Sequence, residues 1–230
     1  MKIHRTEENI VKKSQQISES LPLIILLTLS GGFMDAYSYT YRGHVFANAQ
    51  TGNILLFGVN LSTGNFSSAV HYLFPIMSFA VGVAVAEIIR SRFYSARHFH
   101  WCQAVLMAEA IILFIVAFIP QNLNLPANSL ISLACGAQAE SFRTINGSGI
   151  ATTMCVGNLR SAIQAICNYE FTKNKAERKH GFLYLGIIGT FITGAIIGNF
   201  CVDLWWGKAI IVSVILLLTG FVLMFINREN

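Results

Sequence analysis

The chain has 230 residues, 54% of them hydrophobic and 12% charged, with a mean hydropathy of +0.56 and a formal net charge of +5. Soluble domains carry about 25% charged residues, so this composition excludes an ordinary soluble domain and predicts an all-α integral membrane protein. The basic excess fits charge on cytoplasmic loops. No basic patch interleaved with aromatics points to nucleic acid.

The polar stretch 1–20 (MKIHRTEENIVKKSQQISES) lacks a short apolar core followed by a small-residue cleavage site. It is expected to be a cytoplasmic N-terminal tail, not a signal peptide. Six stretches then approach the roughly 20 apolar residues that a membrane helix needs: about 22–41, 70–90, 101–120, 128–145, 181–201 and 207–227. Two more, about 49–62 and 153–167, are shorter and more polar, a length that suits re-entrant half-helices. Trp205 and Trp206 close the fifth stretch as an interfacial aromatic pair.

Charge sets the expected topology. If both short segments return to the side they entered from, twelve basic residues fall on one side: Lys2, Arg5, Lys12, Lys13, Arg90, Arg92, Arg97, Lys173, Lys175, Arg178, Lys179 and Arg228. Arg42 and Lys208 fall on the other. The positive-inside rule then puts both termini in the cytoplasm of a multi-pass protein, and loops 91–100 and 169–180 with them.

The short segments share a phrase. FANAQTGN ends in Gly52-Asn53 and IATTMCVGN in Gly157-Asn158, an offset of 105. Carried backward, that offset puts Asp35 on Glu140. Further on, Gly82 meets Gly194 at an offset of 112, with seven extra residues assigned to the charged loop near 169–180. Two units follow, 21–120 and 126–230, forming one integrated membrane domain. Each has three full spans and a half-helix, and an odd number of spans inverts the second unit against the first. The expected fold is therefore six transmembrane helices plus two re-entrant segments in two inverted repeats.

In hydrocarbon an unpaired backbone group costs several kcal/mol, so a broken segment must line a cavity or be packed in protein. Asn48, Gln50, Thr51, Thr152 and Thr153 can satisfy the opened backbone, Gly52 and Gly157 permit close approach, and Asn53 and Asn158 complete the phrase. A half-helix end aimed at the midplane can bind an anion or a polar solute. The same residues can also simply cap a kinked helix.

Asp35 and Glu140 lie in apolar stretches, where charge is costly and usually functional. The alternative is structural: Glu140 paired with Arg143 three residues on, and Asp35 held by a Tyr or Asn. Arg143 has no counterpart in the first unit and could select an anion. Glu109 is also mid-span without an acidic counterpart, either a relay or interface residue or a locally paired or neutral structural Glu. Glu87 is expected to snorkel or to pair with Arg90.

The five cysteines form no C-x-x-C and imply no disulfide or metal set, and no cofactor is expected. No Walker loop, nucleophile elbow or H-E-x-x-H occurs, so ATP-driven transport and most hydrolase chemistry are not expected, and no enzyme is foreseen.

GGFMDAYSY, GHVFANAQTGN and TTMCVGNLRSA resemble the YoaK-like family of uncharacterised bacterial membrane proteins over nearly the whole chain beyond the tail. The sequence departs from that family's pattern at Val156, where Thr is more typical. The resemblance implies a multi-span protein of the bacterial inner membrane and names no substrate. The expected function is a secondary permease or channel for a small polar or anionic solute, coupled to protons or cations, in the lipid bilayer and compatible with a homo-oligomer. Its rival is a non-transporting scaffold or sensor.

Overall fold

The computed structural model describes residues 20–93, 101–145, 148–149, 152 and 155–229. Thr153 and most of the N-terminal tail lie outside these residues. The described chain is almost wholly helical: α1 (Leu21–Tyr41), α2 (Gln50–Ser62), α3 (Phe66–Phe93), α4 (Trp101–Val116), α5 (Asn124–Ser141), α6 (Cys155–Thr172), α7 (Lys175–Trp205) and α8 (Ile211–Glu229). Short 3-10 turns at Gln121–Leu123 and Trp206–Ile210 precede α5 and α8. A two-residue ladder, β1 (Thr144–Ile145) with β2 (Ser148–Gly149), follows α5.

By length and apolar composition three stretches can cross a membrane: Leu21–Tyr41, Phe66–Arg92, and Lys175–Phe225, which runs through α7, its break and α8. α4 is a shorter apolar helix. Its outer face carries Ile111, Phe114 and Ile115, all about half exposed, while Thr28, Gln103, Glu109, Gln138 and Ser213 are buried. Water would reward the opposite distribution; lipid tails accept it.

Hydrogen bonds and close contacts fix the helix directions. The Arg42 guanidinium donates to the carbonyls of Val116, at the end of α4, and Pro120, just before α5. The Tyr37 hydroxyl donates to Gly207 O, just before α8. The end of α1 therefore meets the end of α4 and the starts of α5 and α8. At the opposite end of the bundle, Cys102 of α4 donates to Ser141 O of α5, and Glu87 of α3 lies beside Glu140 of α5 and Arg143 just after it. Leu23 of α1 lies against Gly220 of α8 at this end.

The largest helix pairings are α3 with α5 and α7 with α1. Both are closed by glycine. A β-carbon on Gly82 would strike Leu133 O, and one on Gly136 would strike Phe79 O. A β-carbon on Gly194 would strike Leu29 O, and one on Gly32 would strike Phe191 O. With Gly198 against Phe33, α1 and α7 run in the same direction. Helices approach this closely only where the side chain is absent.

These contacts correct one expected register. Phe79 and Phe191, like Gly82 and Gly194, are 112 residues apart, as expected. Their partners, Gly136 with Gly32 and Leu133 with Leu29, are 104 apart, not 105. Asp35 then corresponds to Ala139, and Glu140 to Ala36. One residue turns a helix by about 100°, so the two carboxylates leave their helices on different faces.

The expected loop at 169–180 is also corrected. It is helical apart from Lys173 and Asn174. Relative to the first unit, α6 ends five residues later, α7 begins three earlier and the link is one shorter, which accounts for the seven extra residues. Asn174 accepts a bond from Ala176 N at 3.0 Å and so caps α7, as Asn65 accepts from Ser68 N at 3.2 Å for α3. Lys173 takes the left-handed turn (φ 53°) that Gly64 takes in the other link (φ 71°).

Candidate functional site

After Arg42 the chain turns through Gly43 (φ 88°) and His44 (φ 60°) and goes back down beside α1. The Asn48 side chain donates to Gly31 O at 3.1 Å. Gly31 lies eleven residues before Arg42, about 16 Å deeper at helical rise. From that depth α2 climbs back over about 20 Å to the start of α3, so the segment enters and leaves at the same end of the bundle.

The buried turn is anchored on Asp35. Its Oδ1 accepts the Asn48 N–H at 2.7 Å, and the backbone of Ala47 and Ala49 also faces the carboxylate. The chain's own carboxylate thus stands just ahead of the positive end of α2, against the backbone that leads to its N-cap, Ala49. Asn53 clasps Phe46 from both sides, accepting from its N–H (3.0 Å) and donating to its carbonyl (2.7 Å). Gln50 donates to Ala47 O (2.8 Å), accepts from Asn53 (2.9 Å) and reaches Ser132 of α5 at 3.5 Å. The Phe46 ring packs over Gly52, where a β-carbon would collide with it. Thr51 is exposed. Most polar groups of the first phrase therefore satisfy its own backbone.

The second phrase lies close to the same place. Asp35 acts electrostatically on Cys155, the first residue of α6, and on Cys135 of α5, which also contacts the Asn48 side chain. From there α6 runs to the end opposite Arg42, where Ala162 and Ile166 pack on Gly181 of α7. Asn158 is buried, whereas Gly157 is exposed with nothing near its α-carbon. One oxygen of each phrase is buried without a hydrogen-bond partner among the described residues: Asn48 Oδ1 and Thr152 Oγ1. They are 104 residues apart, the register set by the helix contacts.

Glu140 does not join this centre. It pairs with Arg143 at 3.0 Å, and the Arg143 side chain is 54% exposed. The pair sits beside Glu87, which itself binds Arg90 at 2.7 Å. The Glu140–Arg143 pairing expected from the i, i+3 spacing is observed, and the Arg143 side chain is half exposed.

Two buried groups take a larger part than their sequence positions suggest. Arg42 is wholly buried and binds Tyr37, Val116, Pro120 and Asn124, with its guanidinium 5.0 Å from the Tyr41 ring centre. The tyrosines one and five residues before it were the available signal. Glu109 is 1% exposed, and neither carboxylate oxygen has a hydrogen-bond partner among the described residues.

Polar groups turned inward, large apolar side chains turned outward and a re-entrant turn seated on a buried carboxylate define an integral membrane protein. The chain belongs to the family described as Protein of unknown function (DUF1275), whose model matches residues 23–223. It is similar to the UPF0700 transmembrane protein YoaK of Bacillus subtilis (strain 168), with 27% identity over 201 residues, 83% of this chain and 81% of that protein. No solved structure matches it.

Proposed function

We propose that the chain is a secondary permease or channel for a small polar solute, built as two inverted repeats in a bacterial inner membrane with both termini in the cytoplasm. One observation carries this reading. Two helices start near the same buried carboxylate and run to opposite ends of the bundle, each preceded by a buried oxygen without a partner among the described residues, at Asn48 and Thr152. A solute with hydrogen-bond donors would satisfy both oxygens. An anionic group would go to the start of α6, because Asp35 already stands just ahead of the start of α2. Midplane binding between half-helices is a general solution to alternating access.

The rival scaffold reading draws on the close-packed cluster of Leu27, Phe33, Met34, Leu106, Leu113 and Ile131. Metabolite profiling of a deletion strain, followed by flux of the identified solute in reconstituted vesicles, separates the two. The permease reading expects a solute that accumulates or is depleted, and flux that falls in N48A and T152V while both remain folded. No solute-dependent phenotype and no flux would favour the scaffold. Cysteines placed at 63 and 91 should label from opposite sides of the membrane.

A further inference from the structure

We propose that Glu109 is a proton-binding site, loaded as the neutral acid in the observed conformation and emptied when the bundle opens. This deepens the permease reading by naming the coupling ion. It rests first on position. α4 and α5 run antiparallel from the Cys102–Ser141 contact. Seven residues, about two turns, lead forward along α4 to Glu109 and back along α5 to Ala134, next to Cys135. Glu109 accordingly lies near Cys135, as Asp35 does from α1. Cys135 Sγ lies 3.8 Å from the Met34 sulfur. A buried thiol of the second unit thus lies near two buried carboxyl groups of the first.

It rests second on what surrounds Glu109. Both of its oxygens are buried without a hydrogen-bond partner among the described residues. An ionised carboxylate there would have no counter-charge, and buried groups of this kind neutralise instead. On α5 the ionisable neighbour is Cys135, with Asp35 beyond it. α8 has no ionisable side chain between Ile211 and Phe225 and offers Ser213. On α3, His71 and Tyr72 stand near one end and the Glu87–Arg90 pair near the other. Lys208, before α8, is exposed. A metal ion would need about six oxygens, and the nearest turns of α4 supply Leu106, Ala110 and Leu113. The proton is the cation that fits. Loading adds H⁺ to one Glu109 oxygen, and release returns it to water when the bundle opens.

The test uses the full chain in phosphatidylethanolamine–phosphatidylglycerol vesicles, with the proton as probe. pH-difference infrared spectroscopy should show the carbonyl band of a buried carboxylic acid that disappears as the pH is raised. E109Q should lose this band and E140Q should keep it. Dicyclohexylcarbodiimide, which attacks protonated carboxyl groups in apolar surroundings, should label wild-type Glu109 at acid pH and progressively less toward alkaline pH, read by peptide mass. That arm needs no variant to fold. A titrating band that survives in the E109Q/D35N double variant as it does in D35N would overturn the proposal, as would labelling of Glu109 that is absent or independent of pH. Titration without solute flux would leave the proton site standing and overturn only the permease reading.

Discussion

Asn48 donates its backbone N–H to the Asp35 carboxylate at 2.7 Å, thirteen residues back along the chain. This bond holds a turn of non-helical backbone deep in the bundle, where it would otherwise be unpaired. D35A removes the acceptor and is expected to cost more than D35N, which keeps one oxygen. Bonds to a charged group are worth about 1.5–3 kcal/mol each. Thermal unfolding in detergent should rank the stabilities as wild type, then D35N, then D35A. Equal melting temperatures would show that Asp35 does not hold the turn.

E140Q should behave differently. The Glu140–Arg143 pair is half open to its surroundings, and exposed pairs contribute about 0–1 kcal/mol. Its melting temperature should stay within about 4 °C of wild type, since each kcal/mol moves a chain of this size by about 2–4 °C. A loss as large as that of D35A would mean that the two carboxylates share a role.

Arg42 gives the largest expected single loss. R42Q removes the reach to Val116 O and Pro120 O, and a buried acceptor left unmatched costs about 1–3 kcal/mol. A loss of about 3 kcal/mol is expected for R42Q, and a smaller one for Y37F, which removes the hydroxyl shared by Arg42 and Gly207. Denaturation in detergent measures both.

The glycines divide by surroundings. G136V and G194V put a side chain into the backbone of the partner helix and should lose about 1–3 kcal/mol or more by overpacking. Gly186 and Gly189, on the same helix as Gly194, have nothing within 4 Å. G186A and G189A should gain about 0.5–1 kcal/mol from helix propensity. If all four variants lose stability alike, helix approach is not what these glycines serve.

The long helices were legible because apolar runs bounded by charge have one physical meaning in a membrane. The return of the chain to the Arg42 end was legible from the shortness of the segment and its Gly-Asn ending. The shared register of Asp35 and Glu140 was not, because the offset of 105 was carried backward from Gly52 across a connection whose length differs between the units. Pattern matching sees no gap there, and only the backbone contacts of Gly32 and Gly136 reveal it. The Glu140–Arg143 pair was present as an i, i+3 spacing. Arg42 read as an ordinary outer charge because two of its acceptors are backbone carbonyls more than seventy residues away, and only Tyr37 and Tyr41 nearby hinted at its burial. The isolation of Glu109 depends on what three other helices fail to offer, and a single stretch of sequence cannot show it.

The exchange of partners between the halves bears on how the protein is made. α1 enters the membrane early in synthesis, yet the helix that seats on its Gly32 face lies some 160 residues downstream. Until α7 emerges, that face meets lipid or the insertion machinery, and so does the small-residue face of α3 until α5 arrives. Neither half contains the surface that completes its own first or third helix. A ribosome halted between the two units would release a chain with two open seams, so the membrane would hold a finished protein only after the last third had been translated.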